Sequence, residues 1–392
     1  MLKNTFVSEF PALRNRVYLD NAGAGLPSVR VSKAIRDLTS DWELNGEKWE
    51  EWLLDVVQLR KEFAKLVGGA KEEIAVVPSV SVGLSSLASS LKFVKRKKVV
   101  VSELNFPTNV VLWQRMKESN LIKEVILLRQ KEGITPIESF EKEVDDETAL
   151  VAIDYVSWFS GARHEIKQIC KIAHEKGALV VVDAFHAVSV VPFDVKSDSI
   201  DMLVCGFYKW LCGPHGVACV YIKRELLAEL EPSYIGWHGI EDNVIERLLQ
   251  GRDPFDKPFP LDSARPSKEA ARFEWGTWSP TVVRGALEAT KYVNESDTNS
   301  RFQTIRKRKK EVMEGIENLG IRPLTPSEDK NPGAGIVTFP VKSHHKLVEW
   351  LKAKHVIVSG RFDHVRVSPH FYNTGEDVER LLSSMREYMR EN

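Results

Sequence analysis

Between residues 74 and 222 the chain alternates short, β-rich apolar runs with helix-like segments, and no other feature restricts its fold as much. The runs are IAVVP (74–78), KVVVS (98–102), EVILL (124–128), ALVAID (149–154), ALVVVD (178–183), DMLVC (201–205) and VACVYI (217–222). Amphipathic stretches lie between most of them. In HEIKQICKIAHEKG (164–177), Ile166, Ile169, Ile172 and Ala173 follow helical spacing. Near-continuous apolar strands separated by helices predict a mostly parallel sheet covered on both faces. The expected fold class is therefore α/β, with a seven-stranded, mostly parallel sheet in a large domain at 21–285.

A segment at 1–20 precedes that domain, and the character of the chain changes after it. SDTNSRFQTIRKRKKEVMEGIENLG (296–320) reads as a helix with a basic outer face. GIVTFP (335–340), HVIVSG (355–360) and VRVSPH (365–370) read as strands, with a helix near 343–354 and a final helix after Thr374. Thr374 and Asp377, three apart, fit a short-armed capping box. Residues 286–392 are thus expected to form a smaller α+β domain. A chain of 392 residues exceeds what one core supports, which agrees with two domains.

Lysine and arginine number 55, as do aspartate and glutamate, so neither nucleic acid nor an anionic membrane is expected as partner. No stretch reaches the ~18 apolar residues of a membrane span, and the N-terminus lacks the apolar core of a signal peptide. The four cysteines form no C-x-x-C pair, which predicts free thiols and a cytoplasmic location.

In open α/β sheets ligands bind beyond the carboxyl ends of the strands. After IAVVP comes SVSVGLSS (79–86), small hydroxyl residues opening a helix, where backbone amides can hold a phosphate. After ALVVVD, Asp183 is followed by Ala184, Phe185 and His186. After DMLVC comes GFYKWLCGPHG (206–216), with Lys209 between Tyr208 and Trp210. Each feature alone has an ordinary explanation: a helix cap, a salt bridge, a hydrogen-bonded histidine, a solvated lysine. No G-x-G-x-x-G follows any strand, which argues against a nicotinamide or flavin site. An anion site, a buried acid and a sheltered lysine on one sheet are together what pyridoxal 5′-phosphate needs.

At this point the chain resembles the class V aminotransferase group of fold-type I pyridoxal-phosphate enzymes, which includes cysteine desulfurases, kynureninases and isopenicillin N epimerase-like proteins. The resemblance rests on VYLDNAGAGLPS (17–28), PSVSVGLSSLA (78–88), VSWFSG (156–161), VVVDAFHA (180–187), GFYKWLCGPHGVA (206–218), RFEWGTWSP (272–280) and VRVSPHFYNTGEDVERLL (365–382). It implies that Lys209 bonds to the cofactor aldehyde and then moves the substrate Cα proton. Asp183 would pair with the pyridinium nitrogen and His186 with the phenolic oxygen. Ser81, the amide of Val82 and Tyr208 would hold the phosphate, and Phe106 would stack on the ring. Arg366 would bind the substrate carboxylate as a fork, with Trp158 and Asn21 also at the substrate. Thr277, after Gly276, would reach the phosphate of a neighbouring subunit, which implies a homodimer with shared active sites. Neither the motifs nor the resemblance calls for a metal.

Three departures bear on the reaction. The loop before Arg366, VIVSGRFDHVR (356–366), lacks the nucleophilic cysteine that desulfurases of the group carry, which disfavours persulfide chemistry. Trp158 stands where many members have asparagine, and this looks more like kynureninases. Gly206 stands where many have a phosphate-binding serine. The leading expectation is an aminotransferase acting on an amino acid and a keto acid. A kynureninase-like carbon–carbon lyase, suited by the aromatics near the site, and an epimerase are alternatives. A cofactor-binding structural protein is disfavoured because lysine, aspartate and arginine are all kept. The 240–268 segment is rich in proline, and its fold is not predicted.

Overall fold

The computed structural model describes residues 5–259, 261–327 and 331–391. A short strand, β1 (Val17–Tyr18), and two helices, α1 (Val29–Asn45) and α2 (Trp49–Val67), lead into the sheet. The seven apolar runs all form strands: β2 (Ile74–Val77), β3 (Lys98–Ser102), β4 (Glu124–Leu128), β5 (Thr148–Asp154), β6 (Leu179–Asp183), β7 (Met202–Gly206) and β8 (Ala218–Ile222). Their order is β2-β8-β7-β6-β5-β3-β4. The ladders from β7 to β4 are parallel, and β8 runs antiparallel to β7 and β2. The connection between β7 and β8 is a tight return without a helix, so it can only give an antiparallel pair. Cys212 at φ 55° and Gly216 at φ 84° make that return.

The sheet is buried on both faces because successive side chains point to opposite sides. Val76, Val100, Val151, Val182 and Leu203 belong to one apolar cluster. Ala75, Val99, Ala152, Val181 and Val204 belong to the other. Helices α3 (Val80–Ser90), α4 (Thr108–Glu118), α5 (Ile137–Glu143) and α6 (Ile166–Glu175) connect the strands. The buried stripe of α6 is Ile166, Ile169, Cys170 and Ala173, so Cys170 takes the place expected of Ile172, which is only half-buried.

The 240–268 segment is organised by a buried guanidinium. Asn243 caps α7 (Val244–Leu249), and Arg247 donates to the carbonyls of Asp242, Pro254 and Lys257. Helices α8 (Pro280–Asn294) and α9 (Thr298–Asn318) follow. The basic side chains of α9 do not all face outward as expected: Arg301, Arg308 and Lys309 are buried. Arg301 donates to the carbonyls of Ser189, Val293 and Ser296, tying α9 to the large sheet's turns.

The rest of the chain holds β9 (Val337–Pro340), α10 (His344–Ala353), β10 (Val356–Ile357), β11 (Ser359–Arg361), β12 (His364–Val367) and α11 (Gly375–Glu391). An antiparallel sheet of order β11-β12-β9 packs its apolar face on α9, α10 and α11. The N-terminal strand joins this layer: β1 pairs in parallel with β10, and Val17 and Leu19 share a cluster with Val356, Val367 and Leu381. The capping box forms, with Thr374 N–H donating to Asp377 Oδ2 (2.9 Å) and Asp377 N–H to Thr374 Oγ1 (3.3 Å). Among the described residues no helix is long and apolar enough to cross a membrane.

Candidate active site

A cavity opens at the carboxyl ends of the sheet, lined by Ser81, Phe106, Asp154, Asp183, His186 and Lys209 among others. Each follows or ends a strand, so the parallel sheet alone brings them to one edge. Lys209 is 7% exposed. Its Nζ lies 2.9 Å from His186 Nε2, and Trp210 Nε1–H donates to His186 Nδ1 at 2.9 Å. Indole is only a donor, so Nδ1 carries no proton and Nε2 must. The bond to the lysine is then Nε2–H donating to the lone pair of Nζ, which requires a neutral amine. The electrostatics push in that direction. Burial, partly offset by Asp183, lowers the lysine to about 8; Arg366 lowers it further and Asp154 raises it. Burial, with Lys209 and Arg366 nearby, holds His186 well below its ordinary range.

The walls around the lysine are not its neighbours in sequence. Tyr208 and Trp210 flank it in sequence, but besides His186 the rings standing over Nζ are those of Phe185, with its centroid at 4.1 Å, and Phe106 at 5.5 Å. Tyr208 stands at 6.0 Å, and Trp210 lies behind His186, packed on His370. Gly206 explains how Phe185 fits. A Cβ at Gly206 would meet the Phe185 ring at 2.5 Å, so a serine there is incompatible with the aromatic wall. Gly25 is needed similarly: its amide donates to the Tyr208 carbonyl (2.8 Å), and a Cβ would strike the Lys209 carbonyl.

The role of Trp210 gives a prediction. Trp210→Phe keeps the packing but frees Nδ1 to take the proton, leaving Nε2 bare. Turnover is expected to fall on the order of tenfold, the value of one buried hydrogen bond. The melting temperature should change little, and unchanged turnover would show that the tautomer does not matter.

Asp183 accepts from the Phe185 amide at 2.9 Å, and burial pushes its carboxyl up to about 6. Asp154, which the sequence reading passed over, ends β5 directly opposite Asp183 in the register. A signal was present, since ALVAID and ALVVVD both close on aspartate. Phe185 was likewise missed as a wall of the lysine.

At the start of α3, Ser79 Oγ accepts from the Val82 amide (3.2 Å). Val82 is therefore engaged in capping, and the first-turn amides of Val80 and Ser81 have no acceptor within the helix. Ser81 Oγ lies 3.2 Å from Thr108 Oγ1, and Tyr208 stacks on His215 with centroids 3.9 Å apart. Gly276 and Thr277 line a neighbouring cavity that shares Pro78, Gly216 and Val217 with the first. Within one chain they stand outside the lysine cavity.

Arg366 is 2% exposed on β12. Its Nη1 donates to the Trp158 carbonyl (2.9 Å), its Nη2 lies 3.5 Å from Asp20, and its Nε has no partner. Burial lowers its guanidinium to about 10. The Trp158 ring packs edge-on against Phe106 (5.5 Å) and Phe362 (6.2 Å), and Phe159 joins them. Asn21 is placed elsewhere. Fully buried, it donates to the Ser368 carbonyl (2.7 Å) and accepts from Tyr372 Oη, tying the N-terminal segment to the C-terminal layer.

The residues present fit pyridoxal phosphate by their donor chemistry. A buried neutral amine stands beside a carboxylate at adjacent strand ends. First-turn amides and a hydroxyl open the helix after β2, and an aromatic ring crosses the mouth.

The comparisons agree. The family model described as Aminotransferase class-V matches residues 17–381. The chain is 30% identical over 376 residues to an uncharacterized aminotransferase, YcbU, of Bacillus subtilis (strain 168), covering 96% of this chain and 95% of that one. It is 26% identical to a probable cysteine desulfurase of Pyrococcus abyssi (97% and 96% covered) and 25% identical to a kynureninase of Bacillus anthracis (98% and 91%). The apo cysteine desulfurase of Thermococcus onnurineus NA1 superimposes with a TM-score of 0.86 at 23% identity, covering 100% of this chain and 99% of that one, a likeness of fold. With its motifs, its fold and the family model in agreement over nearly its whole length, the chain belongs to the class V aminotransferase family of pyridoxal-phosphate enzymes.

Proposed function

We propose that the protein is an aminotransferase: it takes the amino group from an amino acid and passes it to a keto acid. The observation that carries this reading is the buried Lys209 amine, 2.9 Å from His186 Nε2 at the carboxylate end of β6 and lowered by burial to about 8. Bound pyridoxal phosphate supplies an aldehyde that condenses with amines and a protonated ring that draws electrons from the carbon attached to them. The chain does the rest. Lys209 would take the proton from the substrate Cα and hold it at Nζ for return. Asp183 keeps the ring nitrogen protonated, and His186 donates towards the ring oxygen. Phe106 and Phe185 exclude water, which strengthens each of these charges. Arg366 holds the substrate carboxylate and so fixes which bond at Cα faces the lysine. Thr277 of a second copy completes the phosphate site, making the working unit a homodimer.

The relatives named as cysteine desulfurases weigh towards sulfur chemistry. Against it, Cys170, Cys205, Cys212 and Cys219 are all buried. Burial raises every one of these thiols, Cys212 to about 12, so none is a ready thiolate. The hairpin of β11 and β12 carries Phe362 at its tip instead. The aromatic group of Phe106, Trp158, Phe159 and Phe362 favours a second reading, a kynureninase-like lyase acting on a large aromatic side chain.

One experiment separates them. Purified holoenzyme is mixed with a panel of amino acids without keto acid, and the cofactor's visible band and the products are followed. An aminotransferase loses the band and releases one keto acid per site. Multiple turnovers with the band retained, and alanine accumulating from an aromatic donor, would replace the proposal with the lyase.

A further inference from the structure

Asp154 is 2% exposed and belongs to the cavity, yet the chemistry above leaves it without a task. Its Oδ2 accepts from the Phe106 backbone N–H at 2.6 Å, and its Oδ1 from Asn109 Nδ2 at 3.1 Å. Its own backbone N–H donates to Asn105 Oδ1 (3.0 Å), and Asn105 Nδ2 donates to the Ala152 carbonyl (2.9 Å). Residues 105–109 are thereby strapped to the end of β5. Phe106 sits on this strap, 39% exposed, so burial alone does little to hold its ring 5.5 Å from Lys209 Nζ.

The charged surroundings of Asp154 are few. Asp183 faces it from β6 and Lys209 from the turn after β7. From α4 comes only the neutral Asn109, and His164, which burial lowers to about 4, bonds the Asp154 carbonyl rather than the carboxylate. Burial and Asp183 push the carboxyl up, but both oxygens accept N–H bonds, an arrangement that suits the ionised form. Around Lys209 itself stand Asp183, Asp154, Arg366, Cys205 and His186.

We infer that Asp154 is a positioning residue of this site: its carboxylate straps Phe106 across the mouth of the Lys209 cavity and, with Asp183, sets a second negative charge beside the lysine amine. The inference rests on Lys209 being the amine that bears the cofactor. Asparagine at 154 keeps the size but removes the charge, and its amide opposes one of the two N–H donors.

The test is Asp154→Asn, read in two ways that do not depend on turnover. In the apo-protein, the pH dependence of Lys209 labelling by an amine-directed reagent should have its midpoint about one pH unit below the wild-type value. The dissociation constant for pyridoxal phosphate should rise about tenfold, as expected for a lost charge-assisted hydrogen bond. A wild-type value for either quantity overturns the proposal. Should that variant not fold, Phe106→Ala decides: it should weaken the cofactor about as much while leaving the midpoint in place, and full affinity would overturn the strap. Failure of the underlying assignment looks different, because wild-type Lys209 would then stay open to labelling after the cofactor is added.

Discussion

Replacing Lys209 by alanine is expected to remove the visible band of the bound cofactor and to lower turnover on any amino acid by at least about 10³-fold, the combined loss of nucleophile and acid–base. Among the described residues no other amine lines the cavity, so none of them replaces it. His186, an imidazole held by Trp210, and Asp183, a carboxylate, cannot take the place of a primary amine. The pH behaviour of the apo-protein adds a second check. The lysine is lowered from 10.5 to about 8, so its free amine fraction, and with it the rate of cofactor capture, should rise with pH through a midpoint near 8. The stability effect has a definite sign. Between about 8 and 10.5 the unfolded chain binds more protons at this group than the folded chain does. Its contribution to apo-protein stability therefore rises with pH across that window. A Lys209→Ala protein that kept the band and the turnover would sink the assignment.

Arg366→Ala is expected to raise KM for amino acids while leaving the cofactor bound. Loss of a bidentate charged contact costs on the order of 2–4 kcal/mol, about 30- to 1,000-fold. The guanidinium is buried, fixed at one end by the Trp158 carbonyl and loosely paired with Asp20 at the other. Its Nε is unpartnered, the donor that a substrate carboxylate would take up in the proposed arrangement. Arg366→Lys should recover only part of the loss, since an ammonium keeps the charge but not the fork. Initial rates over a substrate range, with cofactor content measured in parallel, check this. An unchanged KM would place the carboxylate elsewhere.

The seven strands were legible because each depends only on its own run of apolar residues. The capping box at Thr374 and Asp377 was legible for the same local reason. The partner of β1 was not, since Val17 and Val356 meet only when the C-terminal layer folds back over the chain's start. On α6 the expected Ile166, Ile169 and Ala173 are buried and Ile172 packs at the edge of the same core, while Cys170 joins the buried stripe. In the site, Lys209, Asp183, His186 and Ser81 were marked by following strand ends and Phe106 by the family resemblance, and the fold brings them to one cavity. The Val82 amide, which the resemblance assigns to the phosphate, donates to Ser79 Oγ here, the ordinary cap that the same stretch also allowed.

By itself the sequence determined the order of strands and helices, and hence which end of the sheet carries the chemistry. Apolar runs and turn residues act over a few positions, and strand ends inherit whatever residue follows. Only the tertiary structure decided what surrounds the lysine. Tyr208 and Trp210 are its neighbours along the chain, but the backbone leaving β7 turns Trp210 behind His186 and admits Phe185 and Phe106 instead. It likewise set Asp154 beside Asp183, a consequence of the β5–β6 register. A proton's place depends on every charge and donor within a few ångströms, and residues far apart in sequence supply most of them.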